Sequence, residues 1–160
     1  MNGIVFQHEC DDADGPCLTV TQAVATAFLL ALRTGMRAGE ICTARWDEVH
    51  ADYMTVRGKT GRRDVPLTYP ARRLVEMMRG YDPLLVFGIG ADSLSALFLK
   101  YRKRAGLTGF TFHDTRHTAA TRLAQRLHVL DLCKVFGWTN TTMALTYYNQ
   151  IGRASCRERV

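Results

Sequence analysis

Arg37, Lys59, His113 with Arg116, Trp138 and Tyr147 follow one another along this chain in an order suited to chemistry on a phosphodiester. Guanidinium forks pair bidentately with phosphoryl oxygens and stay charged at every relevant pH, so Arg37 and Arg116 are read as a clamp on a transferring phosphoryl group. Tyr147 is the candidate nucleophile facing that clamp. Attack by a side chain stores the bond covalently, where a hydrolytic water would dissipate it. A phenol with an ordinary pKa of about 10 needs a proton acceptor and cationic neighbours to attack at neutral pH, and His113 is the natural candidate base. His113 and Arg116 stand three residues apart, so a helix starting there presents both on one face.

Competing readings of the same residues are weaker. His113 and His117 have the i, i+4 spacing of a zinc metallohydrolase helix, but that motif needs Glu where this chain has Asp114. Arg116, between the two histidines, would also repel a divalent cation, so no metal is expected. His117 is instead expected to be a buried, hydrogen-bonded support for its helix. Gly58-Lys59-Thr60 matches the end of a nucleotide-binding loop without the glycine-rich segment that should precede it, so no nucleotide cofactor is expected. Glu40, three residues after Arg37, has two roles open to it: capping the next helix, or orienting Arg37 from behind.

The segments Thr34-Gly35-Met36-Arg37-Ala38-Gly39-Glu40 and His113-Asp114-Thr115-Arg116-His117, with Lys59, Trp138 and Tyr147, resemble the catalytic domain of the tyrosine recombinases, the phage-integrase family. The resemblance runs from about Thr21 to Gln150. It implies an α+β, mainly helical fold with a small antiparallel β-sheet. It also implies site-specific cleavage and rejoining of double-stranded DNA through a covalent 3′-phosphotyrosyl intermediate. Within it, Lys59 would be the general acid that protonates the departing 5′-oxygen, with Arg57, Arg62 and Arg63 as other candidate phosphate contacts on the same hairpin. Counting from Gly137-Trp138 puts Tyr147 at the nucleophile's place, with Tyr148 one residue beyond. Trp138 stands where most of the family carries a second histidine; an indole N–H can donate to a phosphate oxygen but cannot titrate. Thr115 replaces a usual leucine, a change expected to affect packing alone.

The resemblance further implies other recombinase protomers as partners, a tetramer on DNA in the full-length parent, and a bacterial or phage-encoded protein of the cytoplasm. Relatives carry a separate N-terminal core-binding domain and a segment after the tyrosine that docks on a neighbouring protomer. This chain is therefore expected to be a catalytic-domain fragment with reduced activity alone. Two other classes stay open: a type IB topoisomerase, which uses a similar residue set to nick and reseal one strand, and a non-catalytic DNA-binding prophage remnant.

Composition fits these readings without selecting among them. The 160 residues, 47% hydrophobic and 22% charged, suit one soluble domain with a real core. The net charge of +6 permits a polyanionic partner but does not identify it. Five cysteines, an odd number without paired zinc spacing, read as reduced thiols. Residues 1–20 have no helical or strand period and read as an irregular lead-in; 21–150 form the domain. At 151–160 the composition changes abruptly, and one permitted reverse translation reads as a common short-read sequencing adapter, so this stretch is expected to be a non-native tail. Without it the charge falls to +4.

The elements that must position these residues are mostly helices. Thr21 is expected to cap a helix running to Arg33 and stopped by Gly35, with a short helix beginning near Ala38. Tyr53–Val56 and Asp64–Leu67 read as two strands joined by a glycine-bearing turn that holds Lys59. Further helices are expected over Pro70–Arg79, Asp92–Ala105, Thr115–Arg126, Leu130–Phe136 and Thr141–Tyr147, with a short apolar strand at Leu84–Phe87.

Overall fold

A computed structural model describes residues 19–58 and 61–148. The lead-in, Lys59 with Thr60, and residues from 149 onward, including the expected non-native tail, lie outside the described residues. The order is α1 (Val20–Thr34), α2 (Ala38–Cys42), a 3-10 turn (Trp46–Glu48), β1 (Tyr53–Gly58), β2 (Gly61–Pro66), α3 (Tyr69–Glu76), α4 (Ala91–Arg104), α5 (Asp114–Ala124) and α6 (Val129–Phe136), followed by helical residues 142–148. Among the described residues no helix is long and apolar enough to cross a membrane.

α1 is the central element and packs against α3, α4 and α5. Its buried stripe of Ala23, Val24, Thr26, Ala27, Leu30, Ala31 and Thr34 recurs at helical spacing. Thr19, not Thr21, caps it. Gln22 lies three residues after Thr19, so the two side chains satisfy each other's backbone N–H groups reciprocally, at 3.3 and 2.8 Å. Gly35 ends the helix at φ +70°, and a Cβ there would meet Phe136 Cε1 at 2.5 Å. That position therefore needs glycine twice over: for the left-handed turn into α2, and for the close approach of α6.

β1 and β2 form one antiparallel hairpin in the register Tyr53↔Pro66 to Gly58↔Gly61. Met54, Val56 and Val65 enter the main core, with β1 packed against α2 and β2 against α6, and Thr55 Oγ1 donates to Asp64 Oδ1 at 2.7 Å across the pair. The expected strand at Leu84–Phe87 does not form. Asp82 Oδ1 accepts the N–H groups of Leu84 and Leu85 at 2.8 and 2.7 Å, curling the segment so that a single bridge, Arg45↔Leu85, is all that remains of a ladder. Val86 and Phe87 still fill the core.

The buried side chains fall into two clusters. The larger joins α1, α2, the hairpin, α3 and α4, and runs through the rings of Phe28, Phe98, Phe110 and Phe112, the first two stacked and the others tilted or edge to face. The smaller joins Ala119, Ala120 and Ala124 of α5 to Leu132, Cys133 and Phe136 of α6 and to Ala144 and Tyr147. Two arginines of α5 tie the clusters together at the C-terminal end of α1. Arg122 Nη2 donates to the carbonyls of Leu32 and Arg33 at 2.8 and 3.0 Å, and Arg116 Nη1 donates to that of Gly35 at 2.6 Å. A helix end leaves such carbonyls unpaired and partly negative, so cations dock there favourably.

Candidate active site

Phe112 is anchored in the aromatic cluster, which fixes the residue after it, His113, at the start of α5. One turn on, Arg116 points inward and is 5% exposed, while His113 itself is exposed. Facing them, the left-handed turn at Gly35 delivers Met36 and Arg37 to the entrance of α2. The three expected residues Arg37, His113 and Arg116 line one cavity of about 190 Å3, together with Met36, Ala38, Ser95, Phe112 and Thr115. Three separated stretches of sequence thus meet around a space lined by two guanidinium groups.

Glu40 fills both roles left open for it. Its Oε2 accepts the Arg37 N–H at 2.7 Å, capping α2, and its Oε1 accepts Arg37 Nη1 at 2.9 Å, orienting the guanidinium. The carboxylate is 2% exposed. Burial alone would raise its pKa, but the charge of Arg63, the Arg37 N–H and the charge of Arg37 hold it below the usual carboxylate value.

Arg63 is the residue that sequence reasoning undervalued. It is not a free phosphate contact on the hairpin: its side chain is 9% exposed, its Nη2 donates to Glu40 Oε2 at 2.8 Å, and its Nη1 donates to the Val135 carbonyl. Strand alternation carried the signal, because Arg63 lies on the same face as the core residue Val65 and opposite the buried Val56. Arg57 is likewise engaged, donating to Glu48 Oε1 through Nε and Nη2 at 3.0 and 2.8 Å.

Arg116 spends two of its five donors on carbonyls, Gly35 O and Phe136 O, each at 2.6 Å. Burial, followed by the charges of Arg37 and Arg63, lowers its pKa to about 10, so it stays cationic at neutral pH. Its guanidinium lies over the rings of Phe136 and Trp138, 4.7 and 5.8 Å from the centroids. Arg37 and Arg63 both bond to Glu40 while Arg116 bonds to carbonyls, so in this cluster three guanidinium groups stand against one carboxylate. The surplus positive charge suits an anion.

The aromatic stack continues from Phe136 to Trp138 at 4.7 Å and from Trp138 to Tyr147 at 5.6 Å, with the last two rings nearly parallel at 6°. Gly137, left-handed at φ +63°, turns the chain so that Trp138 folds back onto Phe136. Tyr147 is 6% exposed; burial raises its pKa, and the nearby Arg116 opposes the rise. Tyr148 is engaged elsewhere, its hydroxyl donating to the Leu127 carbonyl.

His117 departs from expectation. It is exposed rather than buried, and its Nδ1 shares a 2.6 Å hydrogen bond with Tyr147 Oη. Helix geometry explains this: one turn beyond His113, the ring leaves the core side occupied by Arg116 and reaches helical residues 142–148. The rings of His113 and His117 stand edge to face at 5.3 Å. Burial, then the charges of His117 and Arg116, lower the His113 pKa. Lys59 lies outside the described residues; the hairpin positions on either side of it, Gly58 and Gly61, are paired in register.

The phage integrase family model matches residues 12–153. A putative integrase/recombinase of Haemophilus influenzae is 35% identical over 136 residues, covering 81% of this chain and 45% of that protein. The chain therefore spans less than half the length of this relative. Among solved structures, the lambda integrase catalytic core is similar with a TM-score of 0.64 at 20% identity, covering 72% of this chain and 79% of that one. A lambda integrase tetramer bound to a Holliday junction matches with a TM-score of 0.65 at 21% identity, covering 80% and 43%. These likenesses fit the mainly helical α+β architecture with its two-stranded antiparallel sheet. From the family match and the identity to a relative, the chain belongs to the phage integrase family of tyrosine recombinases.

Proposed function

We propose that this chain is the catalytic portion of a site-specific recombinase that cleaves and rejoins duplex DNA through Tyr147. The observation that carries the reading is the position of the Tyr147 phenol. It is hydrogen-bonded to His117 and stacked on Trp138, beside an Arg116 that lines the same cavity as Arg37 and His113.

In this mechanism the phenolic oxygen attacks the scissile phosphorus and the P–O5′ bond breaks, leaving a 3′-phosphotyrosyl linkage and a free 5′-hydroxyl. The phenolic proton passes to a histidine; His117 holds the phenol, and His113 opens onto the phosphate cavity. Arg37 and the donors of Arg116 not spent on carbonyls bind the non-bridging oxygens, whose charge grows in the transition state. The Trp138 indole N–H adds a neutral donor, and Lys59 protonates the departing oxygen. A 5′-hydroxyl from a second strand reverses the sequence and completes the exchange with no net loss of phosphodiesters.

Duplex DNA is the proposed substrate, and further protomers of the same protein are the proposed partners, in line with the lambda integrase tetramer on a Holliday junction. Such a reaction places the protein with the DNA in the cytoplasm. The domain is proposed to span residues 21–150, between an irregular lead-in and a non-native tail. A nicked duplex that loses a short leaving strand after cleavage tests the reading. A denaturant-resistant protein–DNA adduct should form and be lost with Tyr147→Phe but not with Tyr148→Phe. An adduct indifferent to Tyr147→Phe would remove the assignment, and relaxation of supercoils without site preference would move the protein to the topoisomerase class.

A further inference from the structure

Arg63 adds a second tie between parts of the site that Arg116 already links. From β2 its fork reaches Glu40, which orients Arg37, and the carbonyl of Val135 at the end of α6. The next carbonyl, that of Phe136, is held by Arg116. Two arginines from different elements thus grip consecutive carbonyls one turn before Trp138. The hairpin closes on the same carboxylate from the other side, where a Cβ on Gly58 would stand 2.8 Å from Glu40 Oε1. The Arg63 Nε is buried without a partner, so the guanidinium is committed inward and not turned to solvent.

We propose that Arg63 is a positioning residue for strand cleavage: it fixes Arg37 relative to Arg116 and Trp138 through Glu40 and Val135, without touching DNA. The inference rests on the recombinase reading above. A buried guanidinium costs desolvation, and packing alone would be served as well by an apolar side chain of similar volume. A planar fork that reaches two acceptors on two elements does what neither an apolar side chain nor a lysine can do. Misplacement of a clamp by about 1 Å is sufficient to slow chemistry on the order of 100-fold.

The test uses the full chain on nicked duplexes carrying either an ordinary phosphate or a neutral methylphosphonate at the scissile position. A methylphosphonate lacks the single negative charge of the phosphodiester that the arginine clamp neutralises, so a variant with a misplaced clamp is penalised less on it. Arg63→Lys should bind duplex with an unchanged salt dependence, cleave the phosphate substrate roughly 30- to 100-fold more slowly, and lose less than about fivefold on the methylphosphonate. The double variant Glu40→Gln with Arg63→Met removes both charges and so keeps folding from deciding the result; it should show the same split between substrates.

Equal losses on both substrates would make Arg63 merely structural. In the double variant, which lacks the Arg63 charge, a salt slope shallower by about one unit would make Arg63 a direct phosphate contact. Unchanged cleavage would also overturn the proposal. If the unmodified chain forms no Tyr147 adduct, the recombinase reading itself falls and the assignment of Arg63 falls with it. An adduct in the unmodified chain with no effect in the variants sinks the Arg63 proposal alone.

Discussion

Replacing Glu40 by glutamine removes the one carboxylate shared by Arg37 and Arg63 while keeping the side chain's size. At present Oε2 accepts from the Arg37 N–H and Arg63 Nη2 at 2.7 and 2.8 Å, and Oε1 accepts from Arg37 Nη1 at 2.9 Å. A glutamine oxygen at the first position keeps two of these bonds; its NH2 at the second opposes the donor of Arg37. Arg37 is 31% exposed and can swing out to water, but Arg63, at 9%, cannot. The buried Arg63 charge is then left uncompensated, which costs about 3–5 kcal/mol in general; about 3 is expected here because a neutral hydrogen bond persists.

Urea unfolding at pH 7 should show a midpoint lower by roughly 1.5–2 M with an unchanged slope. The pH dependence supplies an independent check. The Glu40 pKa in the folded chain lies below its ordinary 4.5, so its contribution is present above that pH and is lost as pH falls through the folded value. The gap between the two proteins should therefore narrow below pH 4.5. A gap under about 0.5 kcal/mol at pH 7, small beside the expected cost of an orphaned buried charge, would refute the reasoning, as would one that does not narrow in acid.

Three other outcomes follow from the geometry. Gly35→Ala puts a methyl at φ +70° and against Phe136, and should cost roughly 2–4 kcal/mol in thermal or urea unfolding; a loss under 1 would contradict the close approach. Tyr148→Phe removes only the hydroxyl bonded to the Leu127 carbonyl, and should lower stability by about 1–2 kcal/mol while leaving single-turnover cleavage within about twofold. With its pKa held below 6.5, His113 is neutral throughout the neutral range. If it accepts the proton, cleavage should fall only as pH drops below 6.5, and a profile that already declines above pH 7 would assign the proton to another group.

Much of this arrangement was legible from residue type and spacing. The helical stripe of α1 and the Gly35 stop are local signals, and the three-residue step from His113 to Arg116 carries its own geometry. The hairpin register follows from alternation between Met54, Val56 and Val65 and the glycines at the turn. What escaped depends on partners distant in sequence. Thr19 outcompetes Thr21 as cap because of Gln22, and Asp82 unmakes a strand at Leu84–Phe87 whose apolar pattern was sound. His117 carries the same helical spacing whether it faces a core or a neighbouring helix, so only the packing of residues 142–148 reveals its bond to Tyr147. Alternation sets Arg63 on the core face, apart from Arg57 and Arg62, but its partners Glu40 and Val135, 23 and 72 residues away, are visible only in the folded chain.

The most direct test of the central claim is chemical identification of the trapped adduct. After cleavage of the nicked duplex, the protein should be digested with protease and nuclease and the nucleotide-bearing peptide sequenced by mass spectrometry. The account predicts a 3′-phosphate joined to the phenolic oxygen of Tyr147, with a free 5′-hydroxyl on the released strand. A linkage to Tyr148, or to the 5′ end of the DNA, would contradict it.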